Sequence, residues 1–196
     1  MQTFKEIDLP SLTERVKKVW WIYINPYMIH SVDHLELDPN NPKHRELFKI
    51  MSDYPFLNNH MVTFKVPAGS STAIHVDGFG NDSKRIYSCN IPILGCTEDC
   101  VTEFYHTELD DFVEEPNETT RFIKPNRQPI KINEYSLVKN PILANTQIAH
   151  RVNNQSTTDV RISVSWSVKP NWTMDMIAKM VDLKAVSYTH LRAHET

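Results

Sequence analysis

The sequence lacks several things whose absence narrows its function. No window of its 196 residues approaches the roughly 18 consecutive apolar residues expected of a membrane-crossing helix. Neither sign of charge is in excess: 21 Lys and Arg stand against 24 Asp and Glu, a net charge of −3. That balance offers no concentrated basic face for a nucleic acid or an anionic membrane. Cysteine is scarce, with only Cys89, Cys96 and Cys100, and the N-terminus has no basic segment followed by an apolar one. An odd number of cysteines without an export signal reads as reduced thiols in a cytoplasmic protein rather than a disulfide framework. What is present, 40% hydrophobic and 23% charged residues, is ordinary for one globular domain. The expected partner is a small molecule or a side chain of a protein, and the oligomeric state stays open.

One stretch is set aside before any fold reasoning. Val186 to Thr196 resemble one reading frame of the transposase adapter ligated to DNA fragments during sequencing, and Ala185 fits the junction codon. The alternative is a short natural helical tail. Residues 186–196 are therefore expected to be non-native, with the natural sequence running to about Lys184 and its own C-terminus missing.

In the remainder, Ser11-Leu-Thr-Glu14 matches a capping box, with Leu12, Val16, Val19 and Trp20 following at helical spacing. The aromatic and β-branched run from Val19 to Ile24 reads equally as a strand. Asn41-Pro42 suits the start of a second helix with Leu47, Phe48, Ile50 and Met51 on one face. From His60 onwards short β-type runs alternate with turns: 61–66, 72–76, 85–93, 101–105, 121–123, 136–139, 147–152 and 160–168. About eight such runs predict an antiparallel barrel or sandwich. Residues 172–183 again carry a helical pattern. The expected organisation is a helical or mixed flank over 1–60, a β core over 61–168 and a C-terminal helix over 169–185, all in one domain.

The run from Val160 to Val168 alternates throughout: Val160, Ile162, Val164, Trp166 and Val168 face one way, Arg161, Ser163, Ser165 and Ser167 the other. The plain expectation is a polar face in water. A guanidinium flanked by hydroxyls is also how a barrel interior would grip a carboxylate.

His75-Val76-Asp77 closes one β run, and residues i and i+2 of a strand share a face, so both side chains can converge on one ion. A third candidate ligand, His150, lies in a later β run. Two histidines and a carboxylate form the facial triad of non-haem Fe(II) sites, with three coordination positions left open. Arg161-x-Ser163 follows on the next run.

His75-x-Asp77, His150 and Arg161-x-Ser163, in this order over residues 61–168, resemble the Fe(II)- and 2-oxoglutarate-dependent oxygenases. The resemblance implies a mainly β fold, the double-stranded β-helix of the cupin or jelly-roll type, with flanking helices. Ser88-Cys-Asn-Ile-Pro-Ile93 is similar to a strand of the aspartyl/asparaginyl β-hydroxylase-like branch, although Ser88 and Asn90 stand where that branch has arginine and histidine. By position, the resemblance makes His75, Asp77 and His150 the Fe(II) ligands and gives Arg161 with Ser163 the distal carboxylate of 2-oxoglutarate. It sets Asn90 near the other end of that co-substrate. It further implies O2 as oxidant, with succinate and CO2 released as a C–H bond is hydroxylated. Asp77 favours hydroxylation, since halogenating relatives leave that ligand position empty. A non-catalytic cupin-like metal or small-molecule binding module is the alternative, and a metal-dependent hydrolase or isomerase ranks below it because it gives Arg161 no task.

Other features read as structural. His30, His34, His44 and His60 are expected in loops or on the surface, and His106-Thr-Glu108 is a His-x-acid triplet without a following Arg-x-Ser strand. Tyr105, beside it, could line the pocket. Trp20, Trp21 and Trp172 are expected in the core or an interface. The acidic stretch 108–118 reads as a solvated loop or a lid.

Overall fold

A computed structural model of the chain describes residues 2–23, 32–77, 86–113 and 120–193. Twelve strands and three α-helices follow in order: β1 (Phe4–Glu6), α1 (Pro10–Tyr23), β2 (Val32–Glu36), α2 (Arg45–Asp53), β3 (Leu57–Val66), β4 (Ser70–Ser71), β5 (His75–Asp77), β6 (Tyr87–Leu94), β7 (Cys100–His106), β8 (Thr120–Phe122), β9 (Ile130–Ser136), β10 (Ile142–Asn145), β11 (Ala149–Asn154), β12 (Arg161–Val168) and α3 (Met174–Ala193). They form two antiparallel sheets. The first is ordered β1-β10-β6-β12-β3-β2 and the second β8-β5-β11-β7-β9, with β4 also paired to β11. The fold is a double-stranded β-helix, mainly β with flanking helices.

Two packing layers follow from strand alternation. The outer face of the first sheet, with Cys89, Ile91, Leu143, Val164, Trp166 and Val168, meets Leu12, Val16 and Trp20 of α1, Leu47 and Ile50 of α2, and Ile177 and Val181 of α3. Each large apolar side chain buried there contributes about 1.5–3 kcal/mol. Trp166 is fully buried and its indole N–H donates to the Asn58 carbonyl at 2.6 Å, so its one polar atom is satisfied. On the inner side, Phe104 and Tyr135 of the second sheet pack on Ile142 and Ala144 of the first.

The segment read as helix or strand at Val19 is helix through Tyr23, because it extends the buried stripe of Leu12 and Val16 by a further turn. Ile24 lies outside the described residues. Ser11 does not cap this helix. Pro10 occupies its first position, where a missing N–H costs nothing, and the Ser11 hydroxyl shares a 2.9 Å hydrogen bond with the Tyr54 hydroxyl. Asn41 does cap the single 3-10 turn Pro42–His44 that leads into α2, accepting from the Lys43 N–H.

Several strand bounds differ from expectation. The strand sought at 72–76 is His75–Asp77, and that sought at 136–139 is Ile130–Ser136. β1 and β2 lie in the segment expected to be a helical or mixed flank and form the two edges of the first sheet. Short edge strands such as these are defined by their partners more than by their own composition. After β6 the chain turns at Gly95 with φ +59°, where a Cβ would stand 2.1 Å from the Val160 carbonyl oxygen, so only glycine fits. No described helix is long and apolar enough to cross a membrane.

Candidate functional site

β5 has three residues, yet it is held from several directions. His75 pairs in register with His150 of β11 on one side and Phe122 of β8 on the other. The Asp77 N–H donates to the Thr146 carbonyl at 2.9 Å, and the Gln147 side-chain amide donates to the Asp77 carbonyl at 2.7 Å. Val76 is buried in a small apolar cluster with Ala149, so alternation turns His75 and Asp77 together to the opposite, inner face.

His75, Asp77 and His150 each offer a ligand atom, and these atoms lie within 4.8 Å of one another. Nε2 of His75 is 3.4 Å from Oδ1 of Asp77, and the two imidazole centroids are 4.5 Å apart. Both rings are oriented by the same device. Nδ1 of His75 donates to the Ala73 carbonyl, and Nδ1 of His150 donates to the Ile148 carbonyl, each at 2.9 Å and each two residues back along the chain. A carbonyl only accepts, so the proton sits on Nδ1 and Nε2 becomes the ligating nitrogen, the arrangement that fixes metal-binding histidines. Among the described residues this is the one group of three or more His, Cys, Asp or Glu with such convergence. Its donor set, two nitrogens and one carboxylate oxygen, suits a divalent iron with open positions.

The β12 strand corrects the plain reading of its polar face. Arg161, Ser163, Ser165 and Ser167 are all buried, as are Val164, Trp166 and Val168 behind them. The serine side faces the interior between the sheets, since Ser165 and Ser167 stand in register with Asn90 and Ser88 of β6, and Asn90 reaches Tyr135 of the second sheet. Arg161 is 2% exposed, and its Nε and Nη1 have no hydrogen-bond partner. A buried guanidinium with unmet donors is costly and calls for an anion. Cys100 and Tyr135 lie close enough to feel its charge. Burial raises both the Cys100 thiol and the Tyr135 phenol above their ordinary pKa, and Arg161 offsets part of each shift.

Ser163 sits between Phe64 of β3 and Pro92 of β6, on the face of Arg161. The Asn90 amide donates to the Tyr135 hydroxyl at 2.8 Å, and its carbonyl accepts from the Ser88 hydroxyl at 3.2 Å. Cys100 is the free thiol expected from sequence, but nothing in the sequence reading connects it or Tyr135 with Arg161. The signal for Tyr135 was obscured because its strand was sought at 136–139 rather than Ile130–Ser136.

Tyr105 does not line this interior. Phe104, its neighbour, opposes His150 on the inner face, so Tyr105 turns outward, where its hydroxyl donates to Glu103 at 2.7 Å. His106 and Glu108 form an exposed pair at 3.3 Å. His44 accepts from the Asp38 N–H through Nδ1 and so holds a turn. His30 and residues 114–118 of the acidic stretch lie outside the described residues, and Leu109–Asp111 forms a 3-10 turn.

No family model matches the chain, and no curated protein matches its sequence. Among solved structures, the epimerase SnoN, in complex with Fe3+, alpha ketoglutarate and nogalamycin RO, aligns at TM-score 0.53 and 12% identity over 85% of this chain and 78% of that one. What the two share is the fold. A Pseudomonas putida prolyl-4-hydroxylase aligns at TM-score 0.44 and 11% identity, covering 87% of this chain and 92% of its own. HygX from Streptomyces hygroscopicus, with nickel and 2-oxoglutarate bound, aligns at 0.41 and 12% identity, covering 89% of each chain. Scores of this size add nothing to the fold assignment.

Proposed function

We propose that this protein is an Fe(II)- and 2-oxoglutarate-dependent oxygenase that hydroxylates a C–H bond. The observation that carries the reading is Arg161: a buried guanidinium with two unmet donor atoms, on the inner wall of the barrel that also holds two histidines and an aspartate around one point. SnoN, the fold neighbour above, holds iron and the same co-substrate.

In this reading His75, Asp77 and His150 hold Fe(II) through Nε2, a carboxylate oxygen and Nε2. When bound, the iron and 2-oxoglutarate supply the oxidising chemistry, consuming O2 and releasing succinate and CO2. Arg161 binds the far carboxylate of the co-substrate by a charge-assisted contact, and Ser163 offers a hydroxyl on the same face. The register supports the span. Arg161 acts on Cys100 and on Tyr135, which opposes Thr102, while His150 opposes Phe104, so the Arg161 end lies about two to four residues of β7, roughly 7–13 Å, from the metal ligands. Asn90 would meet the co-substrate through the amide that now bonds Tyr135. Phe104, Ile142 and Ala144 keep water from the interior. In the same reading the substrate is a small molecule or an amino-acid side chain.

Anaerobic addition of Fe(II) and 2-oxoglutarate to the purified chain tests the reading. A weak visible charge-transfer band, absent in His75→Ala, is the expected result, followed by succinate release when candidate substrates are screened in air. A chain that binds neither metal nor co-substrate overturns it. Metal binding with no co-substrate-dependent band supports the non-catalytic binding module instead.

A further inference from the structure

The pattern that builds the β5–β11 cluster recurs at the far edge of the first sheet. There His-x-Asp on one strand meets a histidine on its antiparallel neighbour. On β2, His34-Leu35-Glu36 is again His-x-acid, and His60 of β3 stands in register with Glu36. Alternation puts His34 and Glu36 on one face of β2 and brings His60 to the same face. Nδ1 of His34 is hydrogen-bonded to Nε2 of His60 at 3.3 Å, and Oε1 of Glu36 lies 3.9 Å from that same Nε2, a looser grouping than that of His75, Asp77 and His150, whose ligand atoms all lie within 4.8 Å of one another. The other nitrogen of His60, Nδ1, is bonded to the Ser167 hydroxyl at 2.9 Å. That bond orients the ring in the way outer partners orient metal-ligating histidines.

We infer that His34, His60 and Glu36 form a second divalent-metal site, of the two-histidine, one-carboxylate type, with zinc as its ion. Two nitrogens each about 2.0–2.1 Å from a tetrahedral zinc stand about 3.3–3.4 Å apart, the separation found between His34 and His60. The Glu36 side chain is 68% exposed, so it can rotate to close its longer gap. The fourth position is left for water. Two nitrogens, a carboxylate oxygen and a water suit four-coordinate zinc. A bound ion ties the edge strand β2 to β3 and so blunts a sheet edge that has no outer partner among the described residues.

This inference is independent of the chemistry proposed for His75, Asp77 and His150. Zinc titration by calorimetry of the wild type, of His75→Ala/His150→Ala, and of that variant with His34→Ala added tests it. The double variant should keep one site of low-micromolar affinity and melt at a higher temperature with zinc. Adding His34→Ala should weaken binding more than about 100-fold, beyond what losing an outer partner costs, and remove the zinc-dependent melting shift. His34 is exposed, so its replacement leaves the fold intact, which the melt without zinc checks. Should the double variant fail to fold, His34→Ala alone must lower the number of bound zinc ions by one. A double variant that binds no zinc, or zinc binding indifferent to His34→Ala in either background, overturns the inference.

Discussion

His75 and His150 face each other across the β5–β11 ladder with ring centroids 4.5 Å apart, and each ring is fixed by the carbonyl two residues before it. Two strands distant in sequence thus present the same nitrogen, in the same tautomer, to one point. The backbone supplies the orienting groups, so no side-chain substitution outside the triad can remove them. The sensitivity therefore falls on the ligands themselves.

His150→Gln should lower Fe(II) affinity by more than about 100-fold, beyond the 10–100-fold typical of losing an outer partner. Anaerobic equilibrium dialysis with a chromogenic iron chelator measures it. An affinity within threefold of the wild type would remove His150 from the ligand set.

Arg161→Met separates stability from co-substrate binding. The guanidinium is 2% exposed with Nε and Nη1 unmet, so its burial costs energy when no anion is bound. The variant should melt at the same temperature as the wild type or higher, while 2-oxoglutarate affinity falls at least about 30-fold, the equivalent of roughly 2 kcal/mol for removing one member of a buried charge pair. Calorimetry and a thermal melt decide it together.

Gly95→Ala should destabilise the protein by about 2–4 kcal/mol, within the range for steric overlap at a left-handed position. The added Cβ would meet the Val160 carbonyl oxygen at 2.1 Å and lie 3.5 Å from the Arg161 backbone nitrogen. Any relaxation therefore moves the start of β12, and 2-oxoglutarate affinity should fall with stability. Chemical denaturation and calorimetry on the same sample test the link.

Glu103 gives the acid limb of stability. Burial alone would raise its carboxyl pKa, but hydrogen bonds from the Tyr105 hydroxyl and Arg151, with the charge of Arg151, outweigh this and hold it below the ordinary carboxylate value. A depressed folded-state pKa contributes stability that is complete above the unfolded-state value, about 4.3 for a glutamate, and is lost as pH falls through the folded-state value. Glu103→Gln should flatten the fall in melting temperature below about pH 4.5 relative to the wild type. Parallel slopes in the two proteins would refute this role.

Much of the barrel was legible because alternation on β12 is strong enough to mark a strand whatever packs on it, and the other runs are bounded by turn residues. The edge strands β1 and β2 were not, since five residues or fewer carry little pattern and their register comes from β10 and β3. The Val19 run was ambiguous for the opposite reason. Its residues favour strands, and helix won because Val19 and Trp20 complete a stripe that buries against the first sheet.

The sequence by itself determined which residue types could meet: a His-x-Asp pair on one face of a strand, a distant histidine, and an arginine alternating with serines. Those facts are local, fixed by the two-residue period of the β-strand. Only the tertiary structure decided that the serine face of β12 is interior rather than wet, that Tyr105 points away from His150, and that Arg161 is left without partners for two of its nitrogens. Which side of a sheet is covered depends on what the rest of the chain stacks against it, and here that is a second sheet on one side and three helices on the other.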